Sequence, residues 1–514
     1  MEVQAKIRDK IKSAAEVAAA IGPHPRKRKV VLCHGTFDIV HPGHIRHLMY
    51  AKSKADVLIV SLTGDEHIKK ANFRPFVPEQ LRAVNLAAFE MVDFVVVDRE
   101  AKPLKNLSII QPDWLAKGYE YGGDGKVDPR TQEEIDVLKQ FGGEILFTPG
   151  DIVYSSSGII ENAPPKLAVE KLAALLEAEN LTLDAMRKAI ADARGMKVHV
   201  VGDTIVDTLT HTTLIGGNTK TPTFSVRFDR QVDYVGGAGI VAKHLQAAGA
   251  EVVFTTVLGN DALKDFVIDD LKKAGVRVNA VIDPTRPTTR KNAFEAGGYR
   301  LLKVDTLDNR AITGRVLDAF KGHIGSEKAK AVVFSDFRHG IFNHATIPSL
   351  IESIPTGAYR VGDSQVATRW GNILEFKGFD LLTPNEREAR FSLGDQDSVV
   401  RPLARKLYEA AECKTLMLKL GELGMITYRD KFDIEDVRAF FVVDSFADRV
   451  VDAVGSGDAL LAYATLVMAN GGSEVIASVL GSISAAIECE HEGNIPVRTE
   501  DVLAKLDQIQ KRLG

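Results

Sequence analysis

From residue 29 onward, short β-branched runs alternate with stretches of helical spacing. Lys29–Cys33 (KVVLC) reads as a strand, Gly43–Lys54 as a helix and Val57–Leu62 (VLIVSL) as a strand. Pro78–Met91 has helical spacing again, and Asp93–Val97 (DFVVV) is a further strand. Runs apolar at successive positions are buried on both faces, which predicts a parallel sheet covered by helices. The pattern breaks at Asn162-Ala163-Pro164-Pro165, because a proline pair continues neither a helix nor a central strand. Lys166–Ala193 then reads as one or two amphipathic helices. A second strand series opens with Lys197–Val201 (KVHVV) and runs on through Glu251–Val257, Ala331–Ser335, Asp380–Thr383 and Thr415–Lys419. The pattern predicts two α/β domains, residues 1–164 and a larger 165–514, with 165–195 as a helical linker. Neither an internal repeat nor a low-complexity tract is visible.

Composition narrows this picture little. The 514 residues are 45% hydrophobic and 26% charged, which excludes disorder, collagen and coiled coil as the dominant class. A net charge of −4 gives no general drive toward nucleic acid or an anionic membrane, and leaves room for a local phosphate pocket. Cys33, Cys413 and Cys489 are far apart and suggest neither a zinc site nor a disulfide framework. The N-terminal stretch lacks the apolar core of a signal peptide, and Ala459–Ala469 is too short to span a bilayer. The expectation is a cytoplasmic enzyme that binds neither nucleic acid nor membrane.

The first chemical signal is VVLCHGTFDIVHPGH, Val30–His44. A strand ends at Cys33, and Gly35 lets a ligand approach the backbone. Pro42 suits a helix start, whose free N–H groups can bind an anion. His41 and His44, three apart across a glycine, can face one phosphate. That arrangement suits nucleotidyl transfer, in which an oxygen attacks an α-phosphorus and pyrophosphate leaves. The plain alternative is a pair of turn histidines beside a helix cap. Gly35-Thr36-Phe37-Asp38 with His41-x-Gly43-His44 resembles the H-x-G-H nucleotidylyltransferases of the cytidylyltransferase type, as does the stretch from Ile68 to Val97. The resemblance implies a Rossmann-like fold with Gly35, Thr36 and Phe37 near the nucleotide. It implies Lys70 and Arg82 on triphosphate or substrate phosphate, and Ser155 and Ser156 in a closing serine-rich turn. Lys117-Gly118 is similar to a segment of the sugar-phosphate adenylyltransferases, although Tyr119 and Glu120 depart from it.

The second signal is DAVGSGDA, Asp452–Ala459, leading into ALLAYATLVMA. Gly455, Ser456 and Gly457 would place backbone N–H groups at a helix start as an anion hole. Asp458 could take a proton from a hydroxyl that attacks a γ-phosphate. A glycine-rich turn with an aspartate cap is the plain alternative. Asn385 and Glu388 form an N-x-x-E pair able to organise magnesium. With Val201-Gly202-Asp203, Asp207, Gly236-Gly237-Ala238-Gly239 and the turn Lys419–Gly424, these motifs resemble the ribokinase-like carbohydrate kinases from about Lys197 to Gly514. The resemblance implies Asp458 as the base, and Asp203, Asp207, Gly236 and Gly237 beside the sugar. It places Lys419, Gly421 and Gly424 by the nucleotide. Relatives usually carry Asn just after the G-G-A-x stretch, where Gly239-Ile240 stands here. Arg290, Lys291, Arg300 and Lys303 are either a solvated charged face or a holder for a phosphate already on the sugar.

Joined, the halves resemble the bifunctional heptose 7-phosphate kinase / heptose 1-phosphate adenylyltransferase family, with the domain order swapped. The resemblance implies anomeric phosphorylation of a sugar phosphate, then transfer of a nucleotidyl group to the sugar 1-phosphate. It implies ATP and magnesium, with ATP or CTP open for the first domain, and a homo-oligomer. A regulatory protein with one inactive half is the competing reading, and intact HPGH and GSGD stand against it.

Overall fold

The structure, a computed structural model, describes residues 2–68, 75–118, 129–148, 168–217, 223–366, 372–491 and 493–513. The chain divides into two compact units, Met1–Leu175 and Leu176–Gly514. The helix Ala168–Ala178 crosses that boundary, and the helix Leu183–Asp192, expected as linker, is part of the second unit. There Met186 and Ile190 are buried, and Arg187 pairs with Asp507 at 2.6 Å.

Among the described residues the first unit holds five parallel strands: β1 (Val30–Gly35), β2 (Val57–Thr63), β3 (Phe94–Asp98), β4 (Trp114–Gly118) and β5 (Glu144–Thr148). Their order is β3-β2-β1-β4-β5. The chain winds outward from β1 to β3, then returns to the other side of β1. That reversal leaves a crevice beyond the carboxyl ends of β1 and β4, where open α/β sheets bind ligands. Val31 pairs with Leu58 on one side and Trp114 on the other. Val30–Cys33 are buried throughout, as successive apolar positions require.

The second unit has two sheets. β6 (Lys197–Gly202), β9 (Glu251–Leu258), β10 (Arg277–Ile282), β13 (Ala331–Asp336), β14 (Tyr359–Ser364), β15 (Leu381–Leu382), β16 (Thr415–Lys419), β17 (Met425–Arg429) and β18 (Phe440–Val443) form a nine-stranded sheet. Its order is β10-β9-β6-β13-β14-β15-β16-β17-β18, parallel up to β16 and antiparallel for the last two strands. A four-stranded sheet, ordered β12-β11-β7-β8, is built from β7 (Thr204–Gly217), β8 (Phe224–Gly237), β11 (Arg290–Ala296) and β12 (Tyr299–Thr306). One core cluster gathers Phe334, Phe342, Phe376 and Phe379 with ring centroids 5.1–6.4 Å apart. The apolar helix Ser456–Ala469 is buried all round from Asp458 onward, which explains why its sequence shows no polar face. Among the described residues no helix is long and apolar enough to cross a membrane.

Candidate active sites

In the first unit, His41 caps the helix Pro42–Lys52 just beyond the end of β1. Its Nδ1 accepts the Gly43 N–H at 3.2 Å, and its ring stacks on His44 with centroids 3.9 Å apart. The Phe37 ring, on a backbone with φ 47°, lies 5.1 Å from His44. Burial and the neighbouring imidazoles of His41 and His47 push His44 down to about 4; burial lowers His41 as well. Burial thus favours the neutral imidazole at both positions. Gly35 ends β1, and the Thr36 carbonyl accepts from Arg82.

Arg82 does not take the expected place. It is fully buried and donates to the carbonyls of Val77 (2.9 Å), Thr36 and Thr63 (2.9 Å) and to Asp65 (2.6 Å). Its guanidinium braces three backbone segments, so contact with phosphate is corrected to a structural role. Asp38, which motif reading passed over, is also buried and accepts the N–H groups of Phe76 (2.9 Å) and Val77 (2.8 Å). His47, a further three residues along the H-x-x-H spacing, reaches Thr148 at the end of β5 at 2.8 Å. Lys117 at the end of β4 pairs with Glu134 at 2.7 Å. Lys70, Ser155 and Ser156 lie outside the described residues.

In the second unit a cavity of about 510 Å³ opens between the two sheets. Gly455–Asp458 line it at one end, and Asp207, Lys291, Arg300 and Lys303 line it along the four-stranded sheet. Gly455 has φ 86° and precedes the helix Ser456–Ala469, so the turn aims backbone N–H groups at the cavity. Asp458 is 8% exposed. Burial, with the Asp363, Asp207 and Glu388 carboxylates, pushes it up to about 8. The Lys419 ammonium pairs with Asp363 at 2.9 Å. Burial opposes its charge, but the Asp363 and Glu388 carboxylates outweigh burial and hold it protonated. A Cβ on Gly457 would lie 3.2 Å from that ammonium, so the cation stands beside the anion-hole backbone.

An anion hole beside a buried carboxyl and an ammonium can hold a phosphoryl group. The model of the pfkB family carbohydrate kinases matches residues 196–500. The chain belongs to the pfkB family of carbohydrate kinases. A second model, cytidylyltransferase-like, matches residues 32–162, from within β1 through the H-x-G-H helix and the other strands of the first sheet. The bifunctional protein HldE of Rhodopseudomonas palustris (strain BisB5) is 27% identical over 316 residues, 60% of this chain and 62% of that protein. The bifunctional protein HldE of Campylobacter jejuni subsp. doylei is 46% identical over 114 residues, 22% of this chain and 24% of that protein. The chain thus spans a little over three-fifths of the length of the first of these relatives. Among solved structures, Escherichia coli phosphofructokinase-2 in complex with potassium aligns at 16% identity and a TM-score of 0.51. It covers 62% of this chain and 99% of its own, which supports the fold of the pfkB unit.

Within the pfkB unit several expected contacts are redistributed. Asp203 is 2% exposed and accepts backbone N–H groups from Phe337 (3.1 Å), His339 (3.1 Å) and Ile341 (3.4 Å). It ties the end of β6 to the loop after β13 and does not line the cavity, where Phe337 of that loop does. Arg290 donates to the cavity-lining Thr208 at 2.9 Å but does not itself line the cavity, whereas Lys291 does. Gly237 and Gly421 line the cavity, whereas Gly424 accommodates the Val443 carbonyl, 2.0 Å from where its Cβ would lie. Gly236 is a seat for Asp207, whose Oδ2 would be 2.0 Å from a Cβ there. Asn494, overlooked in the sequence, donates to that same oxygen at 3.1 Å.

Asn385 and Glu388 form a reciprocal helix cap. The Asn385 backbone N–H and Nδ2 each donate to a Glu388 oxygen at 2.7 Å, and the Glu388 N–H donates back at 2.9 Å. In this arrangement both Glu388 carboxylate oxygens accept hydrogen bonds from Asn385. Among the described residues no three His, Cys, Asp or Glu side chains cluster as a chelating set. Yet Asp363, Glu388 and Asp458 crowd a single ammonium, and burial pushes Glu388 up to about 7. That surplus of acceptors suits a hydrated magnesium ion held through its waters together with a nucleotide.

Proposed function

We propose that this chain carries out two consecutive steps on a phosphorylated sugar, most simply heptose 7-phosphate. In the pfkB unit the anomeric hydroxyl attacks the γ-phosphorus of ATP. Its proton passes to the ionised form of Asp458, and ADP leaves. The N–H groups of Gly455–Gly457 and the Lys419 ammonium balance the charge on the transferred group. Magnesium, when bound with ATP, supplies further charge neutralisation; Glu388 and Asn385 would meet it through water. In the first unit an oxygen of the resulting sugar 1-phosphate attacks the α-phosphorus of a second nucleoside triphosphate, with His41 and His44 on that phosphate and pyrophosphate leaving.

The observation that carries this reading is the layout of the cavity in the pfkB unit. It has an anion hole with a carboxyl at one end, and Asp207 with the cations Lys291, Lys303 and Arg300 along one wall. Lys291 stands directly across from Asp207 in register, and Lys303 lies beside it in the same sheet. A wall of that charge fits a sugar that already bears a phosphate.

The test measures ADP release with heptose 7-phosphate, free heptose and common hexoses, and pyrophosphate release from ATP or CTP with the sugar 1-phosphate. The expected result is strong preference for the phosphorylated heptose in the first assay and formation of a nucleotide sugar in the second. Equal use of free and phosphorylated sugars, or no pyrophosphate release with either triphosphate, would overturn it.

A further inference from the structure

The loop after the helix Glu474–Cys489 runs close to the anion-hole turn, and one residue of it reaches across to the sugar wall. We propose that Asn494 is a positioning residue that holds the Asp207 carboxylate in register with the Gly455–Gly457 turn. This rests on the reading of the cavity given above.

Asn494 is 6% exposed and lines the cavity. Its Nδ2 donates to Asp207 Oδ2 at 3.1 Å. An ionised carboxylate only accepts, so the amide must turn its NH2 toward Asp207 and its oxygen away. That oxygen is buried without a hydrogen-bond partner and lies 3.0 Å from where a Cβ on Gly455 would stand. Glu488 Oε1 is 2.8 Å from the same point and accepts the Ile495 N–H at 3.2 Å. The residue after Asn494 is thereby pinned to the end of the helix. A Cβ on Gly236 would stand 3.0 Å from Asn494 Nδ2 and 2.0 Å from Asp207 Oδ2. Two glycines from different elements therefore make room for one carboxamide between them. An unmade hydrogen bond on a buried oxygen destabilises the fold, and a leucine of similar volume would avoid it. Asn is the residue that fits Asp207 at one end and the bare Gly455 backbone at the other.

The consequence is a residue that acts through Asp207 and not on the nucleotide. In Asn494→Leu the KM for the sugar phosphate should rise about 10- to 100-fold, the range for losing a hydrogen bond to a charged group. The KM for ATP should stay within about twofold, because the lost bond touches only the sugar wall. Combined with Asp207→Asn, the loss should be no worse than the larger single loss, since both remove one interaction. Thermal unfolding of Asn494→Leu and of Asn494→Ala is measured alongside; Leu is expected to match or exceed the wild type. Parallel rises in both KM values, losses that multiply in the double variant, or a lowered unfolding midpoint in both variants would overturn the proposal. A wild-type protein that phosphorylates no sugar would overturn the functional reading and this inference together. Wild-type turnover with multiplying losses would overturn this inference alone.

Discussion

In the Asp458→Asn variant, shape and burial are kept but the proton acceptor is gone. Phosphoryl transfer should fall about 10²-fold or more, the usual contribution of a positioned base. Stability should move the other way. Burial and the carboxylates of Asp363, Asp207 and Glu388 raise Asp458 from 3.8 to about 8. Between those values the unfolded chain has released this proton and the folded chain keeps it, so wild-type stability falls as pH rises. The penalty is near zero below pH 4, reaches about 4 kcal/mol at pH 7 and levels off at about 6 kcal/mol well above pH 8. Relaxation around the carboxyl reduces the realised gain, and we expect about 2 kcal/mol or more at pH 8. Lys419 keeps its bond to Asp363 at 2.9 Å, so the substitution orphans no cation. At the usual unfolding entropy per residue, a unit of this size gains about 1.5 °C per kcal/mol. Scanning calorimetry of wild type and variant should show a difference of about 3 °C at pH 8 and about 1 °C or less at pH 5. A variant no more stable than wild type at pH 8, or a difference independent of pH, would refute the reasoning even if activity were lost.

Three further outcomes follow from the same geometry. His44→Ala should lower kcat for nucleotidyl transfer far more than it raises KM, because the charge it meets develops in the transition state, while ADP release by the other unit continues; retained nucleotide-sugar synthesis would count against it. Arg82→Met should destabilise the first unit by about 3 kcal/mol or more, as expected when a buried guanidinium leaves its acceptors unpaired; loss of nucleotidyl transfer with an unchanged urea midpoint would restore a phosphate role to Arg82. Lys291→Ala should raise the KM for the phosphosugar about 10-fold while Arg290→Ala changes it little, a contrast that steady-state kinetics reads directly.

The parallel cores were legible because they are written in continuous apolar runs. β1, β2, β9, β13 and β16 fall within two residues of the strands expected from KVVLC, VLIVSL, EVVFTTV, AVVFS and TLMLK. The four-stranded sheet was not expected, and its composition shows why. Every residue of β12 is exposed except the half-buried Leu301, and β8 mixes Arg, Asp and Gln among its apolar positions. Such strands gain little from burial, and their pairing depends on partners distant in sequence, as in the β7–β11 register.

The site residues divide by a related rule. A motif that fixes backbone, such as GSGD or HPGH, carries its geometry in the local chain, so Gly455–Asp458 and His41–His44 stand where helix-start chemistry puts them. A side chain reached by counting charges does not. Arg290 and Lys291 are equally basic in the sequence, but on a strand one step reverses the face. Lys291 is opposite Asp207, which faces the cavity, and Arg290 is opposite Val206, which is buried. The same holds for Asp203 and Asp207, four residues apart: Asp203, between β6 and β7, closes onto the N–H groups of Phe337, His339 and Ile341, and Asp207, on β7, faces Lys291. Asn494 shows the limit of such reasoning, because nothing in EHEGNIP predicts a partner 287 residues away. Charge identity is local information and charge placement is not. The wall proposed to select a phosphorylated sugar is therefore set by the register of β7 against β11, so a one-residue slip there would exchange Lys291 for its neighbours and remove the cation from the cavity.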